Sequence, residues 1–127
     1  MREDKKAGKV SEAFLLSEAI KQIEKEAKQK RNKIVICKAP YFGRFRWDFF
    51  GVFDLIVITN YPFNSYRQSD EVDATTEFIQ VTTKHHLSDR RKKILNFFQD
   101  AGCYIPHASI WAYDKVTGEF KIEKVTK

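Results

Sequence analysis

Residues 49–59 read FFGVFDLIVIT and residues 77–84 read EFIQVTTK, and the fold turns on these two stretches. The first is nearly continuous in apolar character and rich in β-branched and aromatic residues, which predicts a strand covered on both faces. The second predicts a partner strand over residues 77–83. Between them, residues 60–73 carry Pro62, Asn64, Ser65, Gln68, Ser69 and Asp70, the turn-forming and polar residues of an exposed hairpin loop. Asp54 sits between Phe53 and Leu55, where a carboxylate is costly unless it is paired, hydrogen-bonded or bound to a metal. Strand side chains alternate, so Gln80, Thr82 and Lys84 share one face while Ile79, Val81 and Thr83 take the other. If the two strands pair as an antiparallel hairpin, Asp54 and Gln80 project to one side. A carboxylate and an amide oxygen are hard ligands suited to Mg²⁺ or Mn²⁺.

Outward from this pair, the N-terminal side carries Ala13, Phe14, Leu16, Ala19, Ile20, Ile23 and Ala27 at three- and four-residue spacings. That period predicts an amphipathic helix over residues 11–30, with Ser11 as its N-cap. Residues 33–38 predict a short first strand ended by Pro40, and residues 41–47 mix aromatics with Gly43, Arg44 and Arg46 as a basic loop. On the C-terminal side, Ser88 and Asp89 are placed to cap a second helix that runs to Asp100 and stops at Gly102. Two strands follow over residues 108–113 and 119–125, joined by the turn at residues 114–118. The expected order is helix, three strands, helix, two strands, which is an α/β fold.

A chain of 127 residues with 43% hydrophobic content suffices for one core and predicts a single domain over residues 1–127. Residues 1–10 read as a flexible basic N-terminus rather than a signal peptide. No apolar run reaches the roughly 18 residues needed to cross a bilayer, so a membrane partner is excluded and a cytoplasmic location is expected. Cys37 and Cys103 have no metal-finger spacing and read as two buried, reduced thiols. The 23 Lys and Arg against 17 Asp and Glu leave a formal charge of +6. Such a balance favours a polyanionic partner, with nucleic acid the leading class.

The strand ending in Asp54-Leu55-Ile56-Val57-Ile58, a hairpin, and then Glu77-Phe78-Ile79-Gln80-Val81-Thr82-Thr83-Lys84 resemble the paired core strands of the PD-(D/E)xK, or restriction-endonuclease-like, nuclease superfamily. The closest likeness is to its Holliday-junction-resolvase-like and phage-encoded branches, and it covers roughly residues 11–113. The resemblance implies an αβββαβ core with a mixed sheet flanked by helices, here with an extra C-terminal strand. It further implies a Mg²⁺- or Mn²⁺-dependent endonuclease acting on DNA, including branched DNA, as a possible homodimer.

Under this resemblance Asp54 matches the metal-binding Asp, Gln80 takes the position of the third-strand acid, and Glu12 matches the glutamate of the first helix, with Glu18 as the second choice. Thr82 stands where the catalytic lysine belongs. By alternation Lys84 is its best substitute, with Lys38 the other candidate. A catalytically inactive nuclease-fold module that binds DNA or a protein is the alternative.

Arg44, Arg46, Arg90, Arg91, Lys92 and Lys93 surround the proposed site and suit phosphate contacts. Tyr41, Phe42, Phe45 and Trp47 interleave with the arginines as candidates for stacking on unpaired bases. Asp48 suits either the metal or a cap, and His85 and His86, with no partner at ligand spacing, read as a solvated pair.

Overall fold

A computed structural model of the protein describes residues 11–42, 45–61 and 74–126, with the side chains of residues 41, 42, 45 and 46 excepted. The expected basic N-terminus, Arg44, the Arg46 side chain and most of the loop after the second long strand lie outside the described residues.

The first helix, α1 (Glu12–Lys30), forms where the apolar period places it. The Ser11 hydroxyl accepts from the Phe14 N–H at 3.1 Å and so satisfies one of the orphan donors of the first turn. Arg31 ends the helix in the left-handed conformation, its N–H reaching the carbonyls of Ala27 and Lys28. Leu15, Leu16, Ala19, Ile23 and Ala27 form the buried stripe.

The strands are β1 (Lys33–Lys38), β2 (Tyr41–Phe42), β3 (Phe45–Arg46), β4 (Leu55–Asn60), β5 (Ala74–Thr83), β6 (Ala108–Asp114) and β7 (Glu119–Lys124). Five of them build one mixed sheet in the order β1-β4-β5-β6-β7. All neighbours pair antiparallel except β5 and β6, which are parallel and are joined through the second helix, α2 (Leu87–Ala101). A parallel pair requires a long crossover connection, and α2 supplies it. The expected α/β class is therefore observed, and the five-stranded sheet follows the expected order of helix, three strands, helix and two strands, with the short β2-β3 pair additional to it.

Two cores flank the sheet. Leu55, Val57, Ile79, Val81, Trp111 and Tyr113 pack with the stripe of α1. Ile94 and Phe98 of α2 pack with Val52, Phe53, Ala108 and Ile110 on the opposite face. The expectation that β4 is covered on both faces is corrected: Leu55, Val57 and Thr59 are buried toward α1, whereas Ile56 is only partly buried and Ile58 is exposed on the other face, and only the C-terminal half of β5 is buried on both. At the end of β6, the Asp114 carboxylate accepts from the Val116 N–H at 2.9 Å, and Gly118 closes the turn with φ at 73°.

Four further local expectations are corrected. Residues 49–53 are not strand: Gly51 N–H bonds the Asp48 carbonyl at 2.9 Å, and Val52 and Phe53 N–H both bond the Phe49 carbonyl at 3.0 Å. This tight turn carries Phe50 at φ 56° and Gly51 at φ 72°, so β4 begins only at Leu55 and Asp54 lies at its mouth. Residues 41–42 and 45–46 pair as a small hairpin rather than lying in an irregular loop. The strand alternation on β5 stops at Thr83, because Lys84–His86 form a 3-10 turn that leads into α2 without a side-chain cap from Ser88 or Asp89. Both cysteines are exposed, not buried. Cys37 shares the outer face of the edge strand β1 with Val35, a face that no element among the described residues covers.

Candidate active site

Asp54 is fixed from three directions. Its N–H donates to the Ile79 carbonyl at 2.8 Å, and its own carbonyl accepts from the Ala39 N–H at 2.9 Å. Its Oδ2 accepts from the Val81 N–H at 2.7 Å. The contacts to residues 79 and 81 bracket Gln80, and the antiparallel register that sets Leu55 against Ile79 places Asp54 against Gln80 when extended by one residue. Asp54 is 2% exposed and Gln80 4% exposed. The hydrogen-bonded ladder therefore ends in a carboxylate that takes the place of a backbone carbonyl toward β5, which explains how the apolar surroundings tolerate it.

Gln80 is less well satisfied. Its Nε2 donates to the Val81 carbonyl at 3.3 Å, while its Oε1 is buried with no hydrogen-bond partner among the described residues. A buried amide oxygen left in this state costs about 1–3 kcal/mol, a cost that a cation at the site would remove.

Asp54 and Gln80 open onto a cavity of about 990 Å³ at the C-terminal ends of β5 and β6. The parallel pairing of these strands brings both ends to one edge of the sheet, where the 3-10 turn and the start of α1 also arrive. A crevice outside the carboxyl ends of parallel strands is the usual ligand site of open α/β sheets. Glu12, Asp48, Thr82, Lys84, His85, His86 and Arg90 line the same cavity. Of the residues expected at the site, Glu12, Asp54, Gln80, Lys84 and Arg90 are thus brought together, and Lys38 is not among the lining residues.

Lys84 reaches the cavity from the 3-10 turn rather than by strand alternation. Its side chain is 62% exposed and its Nζ lies 3.6 Å from Asp114 Oδ2. The Val116 N–H, followed by Lys84, holds the Asp114 carboxyl below its ordinary value. Thr82 is buried and points to the face shared with Gln80.

The expected phosphate contacts divide. Arg90 lines the cavity and has a buried Nε with no partner among the described residues. Lys92 and Lys93 are exposed on α2. Arg91 is instead committed to Glu123 of β7 in a two-pronged pair: its Nη2 donates to Oε1 at 2.8 Å and its Nε to Oε2. Hydrogen bonding to Glu123 raises the Arg91 pKa, and the same bond lowers that of Glu123. This pair ties α2 to the last strand. His86 Nδ1 lies 4.0 Å from Asp89 Oδ2, and the His85 and His86 rings meet edge to face at 5.2 Å.

Tyr113, Asp114 and Lys115, which no sequence motif marks, also line the cavity because β6 runs parallel to β5. That register is not legible in either strand alone. Phe50 lies in the tight turn rather than in a strand, and the Gly51 that follows it is the one local sign of that turn in the sequence.

The donor set suits a hard divalent cation: one carboxylate, one unpartnered amide oxygen, and space for water and phosphate oxygens. Among the described residues, no group of three or more His, Cys, Asp and Glu is arranged to hold a metal. Two protein ligands completed by water and substrate are the usual arrangement for Mg²⁺. No helix of the described residues is long and apolar enough to cross a membrane. Comparison with protein-family models, curated proteins and solved structures finds no match to this chain.

Proposed function

We propose that this protein is a Mg²⁺- or Mn²⁺-dependent endonuclease that hydrolyses phosphodiester bonds of DNA at the cavity floored by Asp54 and Gln80. The observation that carries the proposal is the buried Gln80 Oε1, unpartnered beside a buried carboxylate, in a cavity that basic side chains also line. When bound, the ion polarises a phosphoryl oxygen and makes a water acidic enough to supply hydroxide.

Asp54 supplies the charged ligand, held rigid by its backbone and by Val81. Gln80 supplies the neutral one. Lys84 sets a positive charge at the cavity wall, where it stabilises charge that develops on the phosphate, and Asp114 holds it there. Arg90 positions the phosphate backbone. The net charge of +6 draws in the polyanion. This activity belongs where DNA is reached, which is the basis for a cytoplasmic location. A second copy of the chain would use the edge strand β7, where Ile122 is exposed.

The test is cleavage of plasmid, flapped and four-way-junction DNA with Mg²⁺ or Mn²⁺, by the wild type and by Asp54→Ala. Metal-dependent cleavage that is lost in Asp54→Ala supports the assignment, and cleavage unchanged in that variant removes it.

A specific observation favours a second reading, a nuclease-fold module that binds nucleic acid without cutting it. Thr82 fills the position of the family's lysine, and Lys84 is paired with Asp114. DNA binding without metal uptake or cleavage selects this second reading.

A further inference from the structure

We infer that Phe50 is a stacking platform for an unpaired nucleobase, so that the strand taken by the cavity is single-stranded or branched; the inference rests on the nucleic-acid reading given above. Phe50 is 61% exposed, so burial does not explain an aromatic residue there. Its φ of 56° lies in the left-handed region, which Gly, Asn and Asp accept far more readily than a bulky side chain. The backbone does not favour Phe at this position and the ring is mostly exposed, and a bulky side chain kept there against its conformational preference, outside any helix cap, is a reason to look for function.

The ring is held firmly. It stacks on Phe97 of α2 at 5.4 Å with an interplanar angle of 21°, and leans on Phe78 of β5 at 6.0 Å. The turn beneath it is closed by the bonds from Gly51, Val52 and Phe53. Asp48, in the same turn, lines the cavity.

The path from the cavity to this ring is basic. Arg90, Lys93 and Phe97 occupy positions i, i+3 and i+7 of α2 and so lie along one stripe. Arg90 faces the cavity at one end, and Phe97 carries Phe50 at the other. Seven residues at 1.5 Å rise span about 10 Å, the length of about three stacked nucleotides at ~3.4 Å each. A strand with a phosphate at Arg90 and another beside Lys93 thus reaches Phe50 with a base. A base within a duplex has both faces covered by its neighbours, whereas an unpaired base can add its face to the Phe50 and Phe97 stack. The formal charge of +6 favours this occupant over an apolar protein segment.

The test measures binding by the full chain in EDTA, so that no metal-dependent step enters. Fluorescence anisotropy compares a labelled single strand with the duplex of the same sequence. Phe50→Leu is expected to weaken single-strand binding by about 5- to 150-fold and to leave duplex binding unchanged. Phe50→Tyr retains wild-type binding. Phe50→Asn suits the left-handed backbone, so its loss of single-strand binding cannot be ascribed to a disrupted turn. A 2-aminopurine base in the strand is quenched by the wild type and by Phe50→Tyr, but not by Phe50→Leu.

Equal single-strand binding by the wild type, Phe50→Leu and Phe50→Asn overturns the inference and leaves the nuclease reading standing. Binding that depends on Phe50 without any metal-dependent cleavage leaves the inference and removes the nuclease reading. A wild type that binds no nucleic acid at low salt, or that instead captures a second copy of itself through this face, overturns the inference.

Discussion

Replacing Gln80 with Met separates what the site costs from what it does. Gln80→Met keeps an unbranched side chain of similar volume in a buried position and removes both amide atoms. Loss of the unpartnered Oε1 relieves about 1–3 kcal/mol. Loss of the 3.3 Å bond from Nε2 to the Val81 carbonyl costs about 0.5–1.5 kcal/mol. The difference favours the variant by about 1 kcal/mol, or about 4 °C in melting temperature for a domain of this size.

Metal reverses the order. A ligand that binds only the folded state at 100 times its Kd stabilises by about 2.7 kcal/mol, which raises the wild-type melting temperature by about 10 °C. Gln80→Met, lacking one of two protein ligands, gains far less. Differential scanning calorimetry in EDTA and in saturating Mn²⁺ reads both effects. A Gln80→Met protein that melts below wild type in EDTA and rises equally in Mn²⁺ would show that Gln80 is a satisfied structural amide and not a metal ligand.

The other predictions concern neighbouring groups. Asp54→Ala strands the Val81 N–H, which now donates to Oδ2 at 2.7 Å, and should cost about 1–3 kcal/mol in urea unfolding as well as abolishing cleavage. Lys84→Met should lower turnover by about 10²- to 10³-fold with little change in melting temperature, because the exposed pair with Asp114 contributes little to stability. Unchanged turnover would assign Lys84 to the surface. Glu123 has its pKa lowered from the ordinary 4.5 by the bond from Arg91. Its stabilising effect is therefore full above 4.5 and is lost as pH falls through the lower folded value. Thermal melts taken from about pH 5 to about pH 3 should fall more steeply for the wild type than for Glu123→Gln.

Much of this architecture is legible in the residues themselves. The three- and four-residue spacing of Leu16, Ala19, Ile23 and Ala27 determines α1, and Ser11 caps it as its hydroxyl chemistry predicts. The apolar run of β4 marks a strand, but its alternating burial, with Leu55 and Val57 inside and Ile58 exposed, shows that a continuous apolar run does not by itself reveal how many faces are covered. The local geometry around the site is less legible. A continuous apolar run cannot distinguish a strand from a tight turn whose side chains also enter the core, so residues 49–53 were expected to extend β4. Val52 and Phe53 are buried in the turn as fully as a strand would bury them.

Lys84 illustrates a second limit. Alternation places it beside Gln80 and Thr82 only while the strand continues, and the 3-10 turn begins at that very residue. Lys84 nevertheless lines the cavity, from a different direction. Arg91 belongs to the same run as Arg90, Lys92 and Lys93, and its bond to Glu123 depends on a contact 32 residues away that no local pattern encodes.

The most direct measurement is a crystal structure of the protein soaked in Mn²⁺, with anomalous diffraction recorded. An anomalous peak is expected in the cavity, within ligand distance of the Asp54 carboxylate and Gln80 Oε1. A fully loaded crystal with no peak there, or with Gln80 Oε1 bonded to an ordered water and the Mn²⁺ elsewhere, would contradict that expectation.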